Sequence, residues 1–154
     1  MLLAGLDIGT TGCKLSVYHT DGTRLGSIYR EYPALRGHGV HEIDAAAIWE
    51  AVQAVIAEAT QTYPGIAGLG VTSFGETFVL LDENDTPILP SMLYTDPRGA
   101  EQCDQLCERI DRRTLIEITG LSPHSMYSLP KLMWTKQHRP DALAQAKHIM
   151  LMED

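Results

Sequence analysis

Leu2-Leu-Ala-Gly-Leu-Asp-Ile-Gly-Thr-Thr-Gly-Cys-Lys-Leu-Ser-Val-Tyr18 is the stretch that decides the fold. It sets one carboxylate at the end of an apolar strand and follows it with a small, hydroxyl-rich turn. Leu2 to Leu6 reads as a buried strand, Gly9 to Gly12 as a tight turn, and Lys14 to Tyr18 as a returning strand of alternating character. Such a turn suits a phosphate. Its backbone N–H groups can cup an anion, Thr10 and Thr11 add donors, and Lys14 adds positive charge, while Asp7 can reach a magnesium ion directly or through water. By itself the turn matches neither the G-x-x-x-x-G-K-[ST] loop nor G-x-G-x-x-G, and a glycine-threonine turn between strands is often only a turn.

Working outward, Asp21-Gly22 between two β-rich runs marks a hairpin, so Lys14 to Thr20 and Arg24 to Tyr32 pair antiparallel. Pro33 to His41 reads as a loop. Asp44 is a good N-cap for a helix over Ala45 to Thr60, on which Ile48, Val52, Val55, Ile56 and Ala59 form an apolar stripe. Pro64-Gly65 closes that helix, Ile66 to Val71 and Phe78 to Leu81 are further strands, and Asp82-Glu-Asn-Asp85 is a turn. Helices follow over Arg98 to Ile110, Arg112 to Ile118 and Ser128 to His138, and His148 to Met152 returns as a strand. Strands in a meander, then a helix, then more strands, give an α/β order with mixed pairing.

Twelve Lys and Arg stand against twenty Asp and Glu, a net charge of −8 with no basic run, which disfavours nucleic acid as a partner. With 154 residues, 44% of them hydrophobic, there is material for one ordinary core, and size alone points to a single domain. No apolar stretch has membrane-spanning length and no signal-peptide pattern opens the chain, so a cytoplasmic protein without a membrane partner is expected. Cys13, Cys103 and Cys107 lack the further ligands of a zinc site and read as reduced structural thiols.

Asp7-Ile-Gly-Thr-Thr-Gly-Cys-Lys14 resembles the first phosphate motif of the FGGY family of carbohydrate kinases. The likeness continues in the family's order. Gly39-Val-His-Glu-Ile-Asp-Ala-Ala-Ala-Ile-Trp-Glu-Ala-Val52 resembles the segment leading into the first helix, and Ile66-Ala-Gly-Leu-Gly-Val-Thr-Ser-Phe-Gly-Glu-Thr77 the sugar-facing strand and loop. Leu93-Tyr-Thr-Asp-Pro-Arg98 fits a Trp-x-Asp-x-Arg motif with Tyr94 in place of the tryptophan. Thr119-Gly-Leu-Ser-Pro123 with Ser128-Leu-Pro-Lys-Leu-Met-Trp134 resembles the stretch ending in a lysine-leucine helix.

The resemblance implies a ribonuclease-H-like fold of the actin-like ATPase group. The implied activity is ATP- and magnesium-dependent phosphorylation of a sugar or polyol hydroxyl. It assigns phosphate binding to Gly9, Thr10, Thr11, Gly12 and Lys14, the metal or its water to Asp7, and substrate contact to Gly75, Glu76, Asp96 and Arg98. Glu76 falls where glycerol kinases have a substrate-contacting glutamate, but Gly75 replaces their preceding arginine, leaving room for a longer polyol or ketose. Residues 1–154 would be the N-terminal part of the first of two domains. The second domain, the adenine pocket and the general base, an aspartate in a Gly-Asp-Gln-like motif, would lie beyond Asp154, making the chain a truncated and inactive fragment. The sugar's identity and a homo-oligomeric state stay open.

Other readings stand beside these. Glu76 can also be read as a solvated loop residue, with substrate contact the favoured reading, and Asp96 with Arg98 equally as a structural ion pair capping the helix after Pro97. Tyr94 reads as packing, Trp49 and Trp134 as core, and His41 and His124 as loop residues, with His41 a distant candidate for the cleft. As a whole the chain is also compatible with another actin-fold ATPase, an acetate-kinase-like protein or a non-enzymatic partner-binding domain.

Overall fold

A computed structural model describes residues 1–154. In chain order the elements are β1 (Leu2–Ile8), β2 (Gly12–His19), β3 (Arg24–Glu31), β4 (Ala34–Gly37), β5 (Val40–Ile43), α1 (Ala45–Thr62), β6 (Ile66–Ser73), β7 (Phe78–Leu81), β8 (Ser91–Met92), α2 (Ala100–Arg109), α3 (Arg112–Thr119), α4 (Ser128–His138), α5 (Pro140–Gln145) and β9 (His148–Leu151). They form two compact units, one of residues 1–34, 44–75 and 152–154, the other of residues 35–43 and 76–151.

The first unit holds a four-stranded sheet in the order β3-β2-β1-β6. β1 pairs antiparallel with β2, from Leu2↔His19 to Ile8↔Cys13, and parallel with β6, from Leu2↔Ile66 to Ile8↔Ser73. The expected hairpin turn is present: Gly22 takes φ +90, and the Asp21 carboxylate accepts the Thr23 N–H at 2.8 Å. Ala4, Leu6, Cys13, Leu15, Val17 and Ile28 are buried, and α1 packs on β2 and β3. Asp44 caps α1 by accepting the Ala46 N–H at 2.9 Å. Ile48, Val52, Val55 and Ala59 are buried as the stripe requires, while Ile56 is half-buried. Trp49 is not core: it is 62% exposed. One step along a helix turns the side chain by about 100°, which carries Trp49 off the face that Ile48 begins.

The second unit has two small sheets, β4-β5-β8 and β7-β9, and the four later helices. The expected loop over residues 33–41 is instead a tight hairpin, turning at His38 (φ 51) and Gly39 (φ 78). Its two four-residue strands are too short to show an alternating pattern. The Asp82 carboxylate closes its turn by accepting the Asn84 and Thr86 N–H groups at 2.8 and 3.0 Å. α5, unforeseen, opens with Pro140 and has six residues, too few for an apolar stripe. No helix is long and apolar enough to cross a membrane.

Leu15, 2% exposed in the middle of β2, fixes the scale of the sheet–helix core. Leu15→Ala should lower unfolding free energy by about 2–5 kcal/mol, measured by chemical denaturation. A loss under about 1 kcal/mol would mean that the site collapses around the smaller side chain.

Candidate active site

Asp7 leaves β1 one residue before its end and lies opposite Lys14 on β2 and Thr72 on β6. The Lys14 ammonium stands 3.9 Å from the Asp7 carboxylate, and both side chains are more than half exposed, so the pair is loose and open to competition by an anion. The turn beyond is held by its backbone: the Gly9 N–H donates to the Gly12 carbonyl at 3.0 Å and the Tyr32 N–H to the Thr11 carbonyl at 3.3 Å. The Tyr32 hydroxyl donates to the Gly9 carbonyl. Burial, and then the neighbouring Cys13, Tyr29 and Asp7, push the Tyr32 phenol above its ordinary range, so it remains a donor. A Cβ at Gly12 would lie 2.5 Å from the Arg30 carbonyl oxygen, so only glycine fits there. Thr10 is half-buried, Thr11 is exposed, and the buried Ser73 hydroxyl, paired across from Ile8, has no hydrogen-bond partner.

In the second unit Asp96 and Arg98 form a closed cluster. Asp96 is 2% exposed, and its carboxylate accepts the His41 N–H at 2.7 Å, the Arg98 N–H at 3.0 Å, Arg98 Nε at 2.8 Å and Arg98 Nη2 at 2.6 Å. Arg98 Nη2 also reaches Glu42 at 2.6 Å, and its guanidinium lies over the Trp134 ring, 4.9 Å from the centroid. Trp134 is half-buried and stacks on His138. Beneath them Lys131, 0% exposed, donates to the carbonyls of Asp96 at 2.6 Å and Arg98 at 3.1 Å.

Burial alone would push the Asp96 carboxyl up, but the hydrogen bonds from Arg98 and from the His41 and Arg98 N–H groups outweigh it and hold the acid below its usual value. Burial lowers Lys131, with Asp96 opposing. This geometry matches the structural ion pair rather than a carboxylate turned toward a ligand. The pair is not a helix cap, however: Asp96 accepts the N–H of Arg98, before Gly99 at the start of α2.

Tyr94 is 46% exposed rather than packed. His41 lies on β5 and not in a loop. Its Nε2 accepts from Arg36 Nε at 2.7 Å, and Nδ1 meets the Thr95 hydroxyl. His124 is in a loop and takes the Met126 N–H on Nδ1 at 3.0 Å. Glu76 is half-buried and lines an apolar cavity of about 270 Å³ in the second unit. Gly75, in the first unit, does not face open space: a Cβ there would meet the Glu153 carboxylate at 3.2 Å.

Residues 2–154 match the sequence pattern of the "FGGY family of carbohydrate kinases, N-terminal domain". The chain belongs to the FGGY family. It is similar to the xylulose kinase of Lactococcus lactis subsp. lactis, 26% identical over 97% of this chain and 31% of that protein. It is also similar to the glycerol kinase of Trichlorobacter lovleyi, 34% identical over 94% of this chain and 30% of that protein. The solved xylulose kinase of Rhodospirillum rubrum superposes with a TM-score of 0.93 at 26% identity, over 100% of this chain and 33% of that one. The chain thus spans about a third of the length of the relatives it matches. The fold class is the α/β, mixed-sheet, actin-like ATPase fold of the FGGY kinases.

Within this FGGY chain, sequence reasoning missed Tyr32, Glu42 and Lys131 as parts of the two clusters. Tyr32 carries a faint signal, an aromatic just before Pro33 at a strand end. Lys131 carries its signal only in the lysine-leucine helix motif, because by itself a lysine three residues into a helix ordinarily reads as solvated. The depressed Asp96 acid sets a pH dependence. Its stabilisation is complete above the unfolded aspartate value, about 3.9, and is lost as pH falls through the lower folded value. Asp96→Asn should therefore cost about 3–5 kcal/mol near neutral pH, with the gap to the unaltered protein closing in acid. Denaturation at pH 7 and pH 3 measures it, and a gap that widens in acid would contradict the assignment.

Proposed function

We propose that this chain is the N-terminal part of the first domain of a two-domain cytoplasmic kinase that transfers a phosphoryl group from ATP to a sugar or polyol hydroxyl. One observation carries the proposal: a carboxylate and an ammonium, Asp7 and Lys14, flank a glycine-threonine turn at the end of a strand paired on both sides. In an FGGY chain, such a turn is a cradle for the transferred phosphates. The N–H groups and hydroxyls of Thr10 and Thr11 donate to phosphate oxygens, Gly9 and Gly12 let the backbone come close to them, and Lys14 supplies a mobile positive charge. Tyr32 holds the cradle in shape through the Gly9 carbonyl.

Magnesium fits Asp7, since this ion is ordinarily held by one or two carboxylates with phosphate oxygens and water completing its shell. When bound, it offsets charge on the phosphates. Glu76 accepts hydrogen bonds from substrate hydroxyls. Asp96 and Arg98 act behind the surface: with their hydrogen bonds spent on each other and on Glu42 and His41, they set the course of residues 93–98. Asp96 thus has no acceptor left for the substrate's proton, which supports a general base outside residues 1–154. Catalysis in this reading is positioning and electrostatics rather than covalent chemistry with the protein.

In the kinase carrying this chain, Asp7→Asn should lower kcat by about 10²–10³ while the sugar Kd changes by less than about twofold, because the lost charge acts on metal and phosphate. Steady-state kinetics at saturating magnesium decides, and an unchanged kcat would sink the metal role.

Glu76→Gln should instead weaken sugar binding by about 1.5–3 kcal/mol, with ATP affinity nearly constant. Calorimetry reads both affinities. Equal sugar affinity in the two proteins would make Glu76 a solvated loop residue.

A further inference from the structure

We infer that Tyr29 is a further phosphate-binding residue: its phenol hydroxyl, lying against Gly12 at the end of the glycine-threonine turn, donates a hydrogen bond to an oxygen of the bound polyphosphate. This rests on the kinase reading above and adds to the cradle a donor that the turn itself does not contain.

Tyr29 on β3 lies directly opposite Lys14 on β2, as Lys14 lies opposite Asp7 on β1. Three strands thus set a phenol, an ammonium and a carboxylate in one row on the open face of the sheet. Directly opposed residues carry their Cβ atoms about 4.5–5.5 Å apart, close enough for two side-chain donors to share one phosphate. The phenol leans along its strand toward the turn. A Cβ on Gly12 would stand 2.5 Å from the Tyr29 hydroxyl oxygen and 2.6 Å from the ring carbon that bears it. The hydroxyl therefore fills the place that a side chain at residue 12 would take, and it brings an O–H to a position where the turn has no side-chain donor.

Two observations separate this role from packing alone. Tyr29 is 46% exposed, so its ring does not serve to fill a core. No group of the chain hydrogen-bonds to its hydroxyl, whereas the Tyr32 hydroxyl is spent on the Gly9 carbonyl. Together with Thr11, Glu31, Tyr32 and Pro33, Tyr29 also borders an open hollow of about 510 Å³ beside the turn. Glu31 is the one charged residue of that lining, and its repulsion keeps an anion on the Lys14 side of the phenol rather than in the hollow.

The test is calorimetry on the full protein with Tyr29→Phe, which keeps the ring on Gly12 and removes only the O–H. Three probes are titrated in magnesium buffer: ADP, inorganic tripolyphosphate and adenosine. Tyr29→Phe should weaken ADP and tripolyphosphate binding by about tenfold, the order for one hydrogen bond to a charged group, and leave adenosine and sugar affinities unchanged. Tripolyphosphate should also move the Tyr29 ring Cζ resonance of the unaltered protein. Unchanged ADP and tripolyphosphate affinities in Tyr29→Phe would overturn the inference and leave the kinase reading standing. An equal loss for adenosine would overturn it too, because the phenol would then meet the nucleoside. If the unaltered protein binds neither ADP nor tripolyphosphate, the kinase reading falls and this inference with it.

Discussion

The pairing of β1 on both of its edges is the constraint from which the first unit is built. A strand with β2 on one side and β6 on the other spends all its backbone hydrogen bonds inside the sheet and cannot fray as an edge strand can. Its side chains are sorted at the same time: Ala4 and Leu6 join the core, while Asp7 goes to the open face with Lys14. The turn after Ile8 therefore starts from a rigid support. Gly12, crowded by the Arg30 carbonyl, and Tyr32, bonded to Gly9, leave that turn little freedom. Such rigidity is what a phosphate cradle needs, since donors held in place cost no reorganisation when charge arrives.

The second unit is organised around charge. Lys131, Arg98, Asp96 and Glu42 bring two cations and two carboxylates together with little exposure to water, an arrangement that burial alone would oppose. It persists because each group is satisfied: the ammonium by two carbonyls, Asp96 by four donors, the guanidinium by two carboxylates and the Trp134 face. Removing one member would strand the others, so the cluster specifies a single course for the chain from Leu93 to Gly99. Gly99 shows how tight that course is. Its φ is +98, and a Cβ would stand 3.1 Å from the backbone at Pro130 and Lys131. The buried parts of the Tyr94–Arg98 motif thus act through shape, and its exposed residues, Tyr94, Thr95 and Pro97, are what it presents to solvent.

Much of this was legible in the sequence. The hairpin at Asp21-Gly22, the Asp44 cap, the α1 stripe and the helices over 112–119 and 128–138 are local features, written in turn chemistry and periodicity that need no partner elsewhere in the chain. So is the glycine-threonine turn beside Asp7. What escaped depends on residues distant in sequence. The β4–β5 hairpin is stabilised by pairing with β8 about fifty residues on. The space beside Gly75 is taken by Glu153.

The sequence by itself determined the α/β order, the family and the chemical types gathered near the turn, because these rest on residue identity and short spacing. Only the tertiary structure decided which charged residues are free to meet a ligand. Asp7 and Asp96 look alike as letters in two motifs. One lies exposed beside a loose lysine, and the other is sealed by four hydrogen bonds, one from the His41 backbone and three from the backbone and side chain of Arg98. The difference is solvation. A carboxylate's availability depends on how many of its acceptor sites the fold has already filled, and that count exists only once the chain has closed around it.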